Sequence, residues 1–160
     1  MLRIVLLLML IASPSFGLSC KAPNFGEAFN RAAVAEEVYN LGYGQLREAG
    51  PIPDYVEGQP REVVVAFVGK LLGSSGFGET QSLPVTLKTN CVSAWCGPIP
   101  ALGEQMLLFL EQGEGELILT SDACPGQYHL SPSLGQISAI RSCMSALECG
   151  PDELSAFELN

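Results

Sequence analysis

Six cysteines, one histidine and 17 carboxylates are the side chains of this 160-residue chain best suited to covalent, metal or acid–base chemistry. The segment Cys91 to Pro100, CVSAWCGPIP, sets Trp95, Cys96, Gly97 and Pro98 in the order found around dithiol redox sites. Such a site needs two thiols two residues apart, one to attack and one to resolve the mixed disulfide, with the first thiolate favoured at a helix N-terminus. Ile99 occupies the second position here, so the resolving step is lost. The segment is also framed by strand signals and punctuated by Pro98, Pro100 and Gly103 rather than opening a helix. A structural disulfide is the expected state of Cys96, and Cys91 is a ready local partner. A single-thiol redox protein reacting at Cys96 is a further alternative.

Other chemistry finds less support. A Ser-His-Asp or Cys-His site would have to depend on His129, and its surroundings, GQYHLSPS, hold no nucleophile motif. A surface or loop histidine is expected. A metal cluster of several histidines is impossible, and cysteine-only zinc lacks paired CxxC spacing. Glu36 and Glu37 are adjacent, while Glu111, Glu114 and Glu116 flank a hairpin turn and should face solvent. Nothing pairs two carboxylates across a cleft as a hydrolase would need. The expectation is a protein that is not an enzyme, with no cofactor and no metal of its own.

The N-terminus reads as an export signal: Arg3, the apolar block Ile4 to Ala12, then the small residues Ser15 and Gly17. Residues 1–17 are the expected leader, with a cut after Ser19 as the alternative and a lipoprotein cut before Cys20 as a third option. The destination is secreted or periplasmic. No later stretch reaches the roughly 20 apolar residues of a membrane helix, so no membrane contact is expected unless Cys20 is lipidated. Without Arg3, 7 basic residues face 17 acidic ones, a net charge of −10 that repels nucleic acid and anionic lipid. About 143 residues remain, enough for one domain with a real core. All six cysteines lie beyond the leader, which implies three disulfides among fifteen connectivities.

The elements that would position these residues are legible in part. Phe25, Phe29 and Ala33 recur every four residues, which predicts a short helix. The segment Val34 to Leu46 reads either as its continuation or as a first strand. The linker EAGPIPDYVEGQP then breaks any helix. Val63, Val65 and Phe67 share one face of a strand, as do Leu83, Val85 and Leu87. QMLLFLEQGEGELILTSDAC reads as two apolar strands around a hairpin. Ser131 and Pro132 mark the start of a helix with Leu134, Ile137, Ile140, Met144 and Leu147 at helical spacing, stopped by Gly150 and Pro151. A short helix, about five strands and a C-terminal helix make a small β-barrel flanked by helices.

In order along the chain, LSCKAP, EAFNRA, VVVAFVGKLLG, VTLKT, the CG at Cys96 and Gly97, LGEQMLLFL, LILTSDAC and LSPSLGQISAIRSC resemble the netrin-like module of the tissue inhibitors of metalloproteinases. The resemblance spans nearly the whole chain after the leader. It implies a mainly β fold, an OB-type five-stranded closed barrel with a short N-terminal helix and a C-terminal helix, stapled by disulfides. The single domain would occupy 18–149, with the C-terminal helix at about 132–147 and an acidic tail over 150–160. Leu18 stands where these inhibitors have their first cysteine, Cys20 where they have the second, and Asn30 where they have a further one. The family pattern implies a Cys20–Cys124 disulfide. With two family partners missing, the remaining cysteines re-pair locally as Cys91–Cys96 and Cys143–Cys149.

The resemblance also implies a function. The α-amine and carbonyl of Leu18 would chelate the zinc of a metalloprotease, and the side chain of Ser19 would enter its specificity pocket. With Cys20 as anchor, Leu18 and Ser19 form an inhibitory wedge. The expected partner is a zinc metalloprotease or another extracellular protein, and never nucleic acid. The alternative is a non-inhibitory secreted structural or protein-interaction module.

Overall fold

The computed structural model describes Cys20, Lys21 and residues 23–158. The expected leader, Leu18 and Ser19 lie outside the described residues. In chain order the elements are α1 (Phe25–Ala33), β1 (Tyr39–Glu48), β2 (Glu62–Gly73), β3 (Gly76–Phe77), β4 (Gln81–Thr89), β5 (Cys91–Val92), β6 (Trp95–Cys96), β7 (Met106–Gln112), β8 (Leu117–Ser121), β9 (Tyr128–Leu130), α2 (Leu134–Ala146) and α3 (Pro151–Ser155).

Antiparallel pairing joins β1 to β2, β2 to β4, β8 to β7 and β7 back to β1. A parallel pairing of β4 with β8 closes the ring, so the fold is a five-stranded OB-type barrel. The ambiguous segment after α1 is therefore strand from Tyr39 onward, with a turn over residues 34–38. Val63, Val65 and Phe67 point inward from β2, as Val85 and Leu87 do from β4, and all five are buried. At the β1–β2 crossing, Gly44 faces Gly69. A Cβ on Gly44 would come 2.4 Å from the Val68 carbonyl oxygen, so only glycine permits this tight coiling of the wall.

β7 carries no alternation because both of its faces are covered. Met106, Leu108 and Leu110 join Leu46, Phe67 and Leu119 inside the barrel. Leu107 and Phe109 face outward, under a second core built from Phe25, Phe29, Ile140 and Phe157. The Phe25 and Phe109 rings stack at 4.7 Å. The helices that form this outer layer begin where their caps dictate. Asn24 accepts hydrogen bonds from the Gly26 and Glu27 amides to open α1, and Ser133 with Gln136 forms a capping box that opens α2.

Several expectations need correction. Leu134 and Leu147 share the predicted periodicity of α2 yet are 86% and 72% exposed; Ile140 and Cys143 are the buried residues of that helix, with Ala139 and Met144 packed beside them. The helix ends at Ala146, with Leu147 in the left-handed conformation. The last residues are not a mere tail: Pro151 starts α3, and Phe157 is buried against Phe25 and His129. His129 itself lies half-buried on β9 rather than in a surface loop.

The structure contains Cys20–Cys124, Cys91–Cys96 and Cys143–Cys149, and no free cysteine among the described residues. Asn30 adds a fourth tie. Its amide donates to the Cys149 carbonyl at 3.0 Å and accepts from the Cys149 amide at 2.6 Å, which fastens α1 to the segment after α2.

Cys20–Cys124 closes a loop with a sequence separation of 104, whereas Cys91–Cys96 spans only 5. In the chain-entropy picture those loops are worth about 4.7 and about 2 kcal/mol. Urea unfolding should therefore show a larger stability loss for the pair Cys20→Ser with Cys124→Ser than for Cys91→Ser with Cys96→Ser. An equal or reversed order would refute this ranking.

Candidate functional site

The parallel β4–β8 pairing sets Thr89 beside Ser121, so both strands end on the same rim of the barrel. The segment after Thr89 is built onto that rim. The Asn90 amide donates to the Ser121 carbonyl, and the Asn90 side chain donates to Asp122 Oδ1, each at 2.9 Å. The Ser121 hydroxyl donates to the Pro98 carbonyl at 2.6 Å. A Cβ on Gly97 would lie 1.9 Å from the Ser121 carbonyl oxygen, so the glycine lets the hairpin base press directly onto the strand end.

From this base rises the β5–β6 hairpin, with Cys91 paired to Cys96 and Val92 to Trp95. Directly paired residues share a face. The disulfide therefore takes one face, and Val92 and Trp95 stand together on the other, 58% and 57% exposed. The sulfur that the redox reading needed is bonded to Cys91.

The β1–β2 connection, residues 49–61, lies against this hairpin. The Tyr55 hydroxyl donates to the Ala94 carbonyl at 3.4 Å, and Gly58 sits close to the Ser93 carbonyl. The Arg61 guanidinium stacks over the Tyr55 ring at 5.4 Å. Arg61 is itself held by Thr89: its backbone amide donates to the Thr89 hydroxyl, and the Thr89 amide donates to the Arg61 carbonyl. Tyr55 and Val56 remain largely exposed, so the connection and the hairpin form a ridge of aromatic and branched side chains backed by an arginine. The sequence hid this ridge, since Tyr55 and Trp95 sit among prolines and glycines where no periodicity reports a face. The usable signal was composition: aromatic side chains within turn-rich segments.

The N-terminal tether reaches the same rim. Cys124 follows Ser121 and Asp122 by only a few residues, and its disulfide to Cys20 sets their Cα atoms 5.5 Å apart. Gln127 donates to Asp122 Oδ2 at 3.0 Å, which braces the loop that carries Cys124. Of the expected wedge residues, Cys20 is thus tied to Cys124, three residues after Ser121; Leu18 and Ser19 lie outside the described residues.

Candidate catalytic groups do not converge. Among the described residues no three His, Cys, Asp or Glu side chains form a metal-binding group. His129 packs on the rings of Phe25 and Phe157 at 6.0 and 5.4 Å. Glu116 was expected to face solvent only; it is exposed, and it also accepts a short hydrogen bond from the Thr86 hydroxyl. Compared with protein-family models, curated proteins and solved structures, the chain matches none.

Tyr39 lies near the tethered loop, and burial followed by the carboxylates of Glu111, Glu37 and Asp122 pushes its phenol above the ordinary value. Burial also pushes Tyr128 up, opposed by a hydrogen bond with Ser121. A raised phenol pKa means that the folded state keeps the proton longer than the unfolded chain. The associated stability is complete below the unfolded value of about 10 and is lost as pH rises through the folded value. Tyrosinate absorbance should show part of the folded protein's tyrosine ionising at higher pH than in urea, and Glu111→Gln should lower that upper part. Coincident folded and unfolded titrations would contradict the assignment.

Proposed function

We propose that this chain is an exported protein-binding module of the netrin-like kind that engages its partner with the ridge of Tyr55, Val56, Val92 and Trp95. The observation that carries the reading is the exposed Trp95 on a hairpin fixed by a disulfide at its base and by Tyr55 at its tip. Aromatic and arginine side chains on a rigid support dominate binding energy at interfaces, because little conformational freedom is lost on docking. Three features support the netrin-like assignment: the closed OB-type barrel, the Cys20–Cys124 link, and Asn30, which ties α1 to Cys149 from the place where the resemblance has a cysteine.

The finer reading is inhibition of a zinc metalloprotease. Cys20 is bonded to Cys124, three residues after Ser121 on the rim, so an amine at Leu18 would lie two residues from an anchored point. A neutral amine and a carbonyl can fill the open position of a catalytic zinc and displace its water. The non-inhibitory module keeps the same ridge and omits the zinc contact.

Two measurements separate these readings. Trp95→Ala should weaken partner binding at least about tenfold, a typical loss for an aromatic anchor, with unfolding free energy changed by under about 0.5 kcal/mol, as for an exposed substitution. Binding that survives Trp95→Ala would sink the ridge. For a chain beginning at Leu18, inhibition of a metalloprotease panel should strengthen as pH rises toward the α-amine pKa of about 8. One added residue before Leu18 should abolish it. Equal inhibition by the extended chain would exclude amine chelation while leaving the ridge intact.

A further inference from the structure

Away from the ridge, clefts of about 600 and 670 Å³ lie on either side of helix α2. Three basic residues, Arg47, Lys70 and Arg141, line them, and no carboxylate does. That is unexpected in a chain with 17 acidic and 8 basic residues. Among the described residues the ion pairs are Lys21–Glu27 and Lys88–Glu62, so none of these three cations is in an ion pair.

The two clefts differ in chemistry. The one beside the C-terminal half of α2 is lined mainly by serine and glycine around Arg141, a stripe of small residues with no feature that selects a ligand. The one under the first turn of α2 has an apolar surface made by Tyr43, Val68, Phe77, Leu134 and Ile137. Its origin is the pairing of β1 with β2, which puts Tyr43 opposite Lys70 and Gln45 opposite Val68 on the outer wall of the barrel. Phe77 closes one side, its ring 5.7 Å from Tyr43. Leu134 overhangs the other, and its 86% exposure now has a use. Arg47 lies four residues along β1 from Tyr43, which is paired with Lys70, so the backbone positions of the two basic residues stand roughly 13 Å apart along the groove.

We infer that this groove binds a linear anionic amphiphile, a medium-chain carboxylate in solution. Its chain would lie along Tyr43, Val68 and the overhanging Leu134 and Ile137, with its carboxylate on Lys70 or Arg47. The volume falls in the range of small-molecule sites, which are mostly apolar with a few placed polar groups. Charge decides against larger anions. A single carboxylate meets mainly the local cations, since charges beyond about 10 Å are screened. A polyanion or an anionic membrane would face the whole acidic surface. An acidic peptide would bring several charges into the same repulsion.

The test uses the full exported chain and dodecanoate kept below its micelle concentration, followed by calorimetry. Saturable 1:1 binding is expected, weakened at least about tenfold by Lys70→Gln with Arg47→Gln and, separately, by Leu134→Gln, all at exposed or half-exposed positions. Dodecanedioate, with an anion at each end, should bind more tightly than dodecanoate. Trp95→Ala should change neither affinity, which keeps this groove distinct from the ridge. Absence of saturable binding by folded protein overturns the proposal, as does binding indifferent to both sets of variants. Cosedimentation with phosphatidylglycerol vesicles, or binding of an acidic apolar peptide without dodecanoate, would assign the groove to another class of ligand and likewise overturn it.

Discussion

The burial of β7 on both faces is the constraint on which the other elements depend. From Met106 to Leu110 five consecutive apolar side chains are buried, alternating between the barrel interior and the helix layer. The same strand pairs with β1 and with β8, so it also closes the barrel. Separate cores would leave each half of this small domain short of apolar area; a shared wall lets both be filled. Closure in turn fixes the rim at Thr89 and Ser121, where the hairpin, the β1–β2 connection and the Cys124 loop are fastened.

The disulfides divide the labour of positioning. Cys20–Cys124 is a long-range constraint between the N-terminal segment and the rim, and it sits at the surface. Cys143–Cys149 is buried and holds the turn after α2 against α1, where Asn30 completes the tie. Cys91–Cys96 adds less to global stability than the long loop does but stiffens the hairpin that presents Trp95. A hairpin of fixed shape is what a rigid docking device requires.

How much of this could be read from the sequence depended on whether one face or two were buried. β2 and β4 were legible because Val63, Val65 and Phe67 alternate with more exposed residues, and Leu83, Val85 and Leu87 alternate in type with Pro84 and the polar Thr86 and Lys88, although Thr86 is itself buried. β1 was ambiguous because Gly42 and Gly44 take inward positions and blank out the pattern. In α2 the start was expected at Ser131 and Pro132 but lies two residues on, where Ser133 and Gln136 make the capping box; Leu134 and Leu147 also misled, since their spacing is helical while both are exposed. Phe157 was lost in an acidic stretch where a single aromatic carries no period. The ridge was invisible for a deeper reason. The exposure of Tyr55 and Trp95 is a tertiary property, created when two segments more than thirty residues apart meet on one rim.

The most direct measurement of the central claim, a disulfide-fixed ridge and a tethered N-terminus, is mass spectrometry of the purified protein, intact and after digestion without reduction. The account predicts a chain beginning at Leu18 with a free amine, no acyl group, and three disulfides, with Cys91 linked to Cys96 and Cys20 to Cys124. A chain beginning at an acylated Cys20, or Cys96 joined to any cysteine other than Cys91, would contradict it.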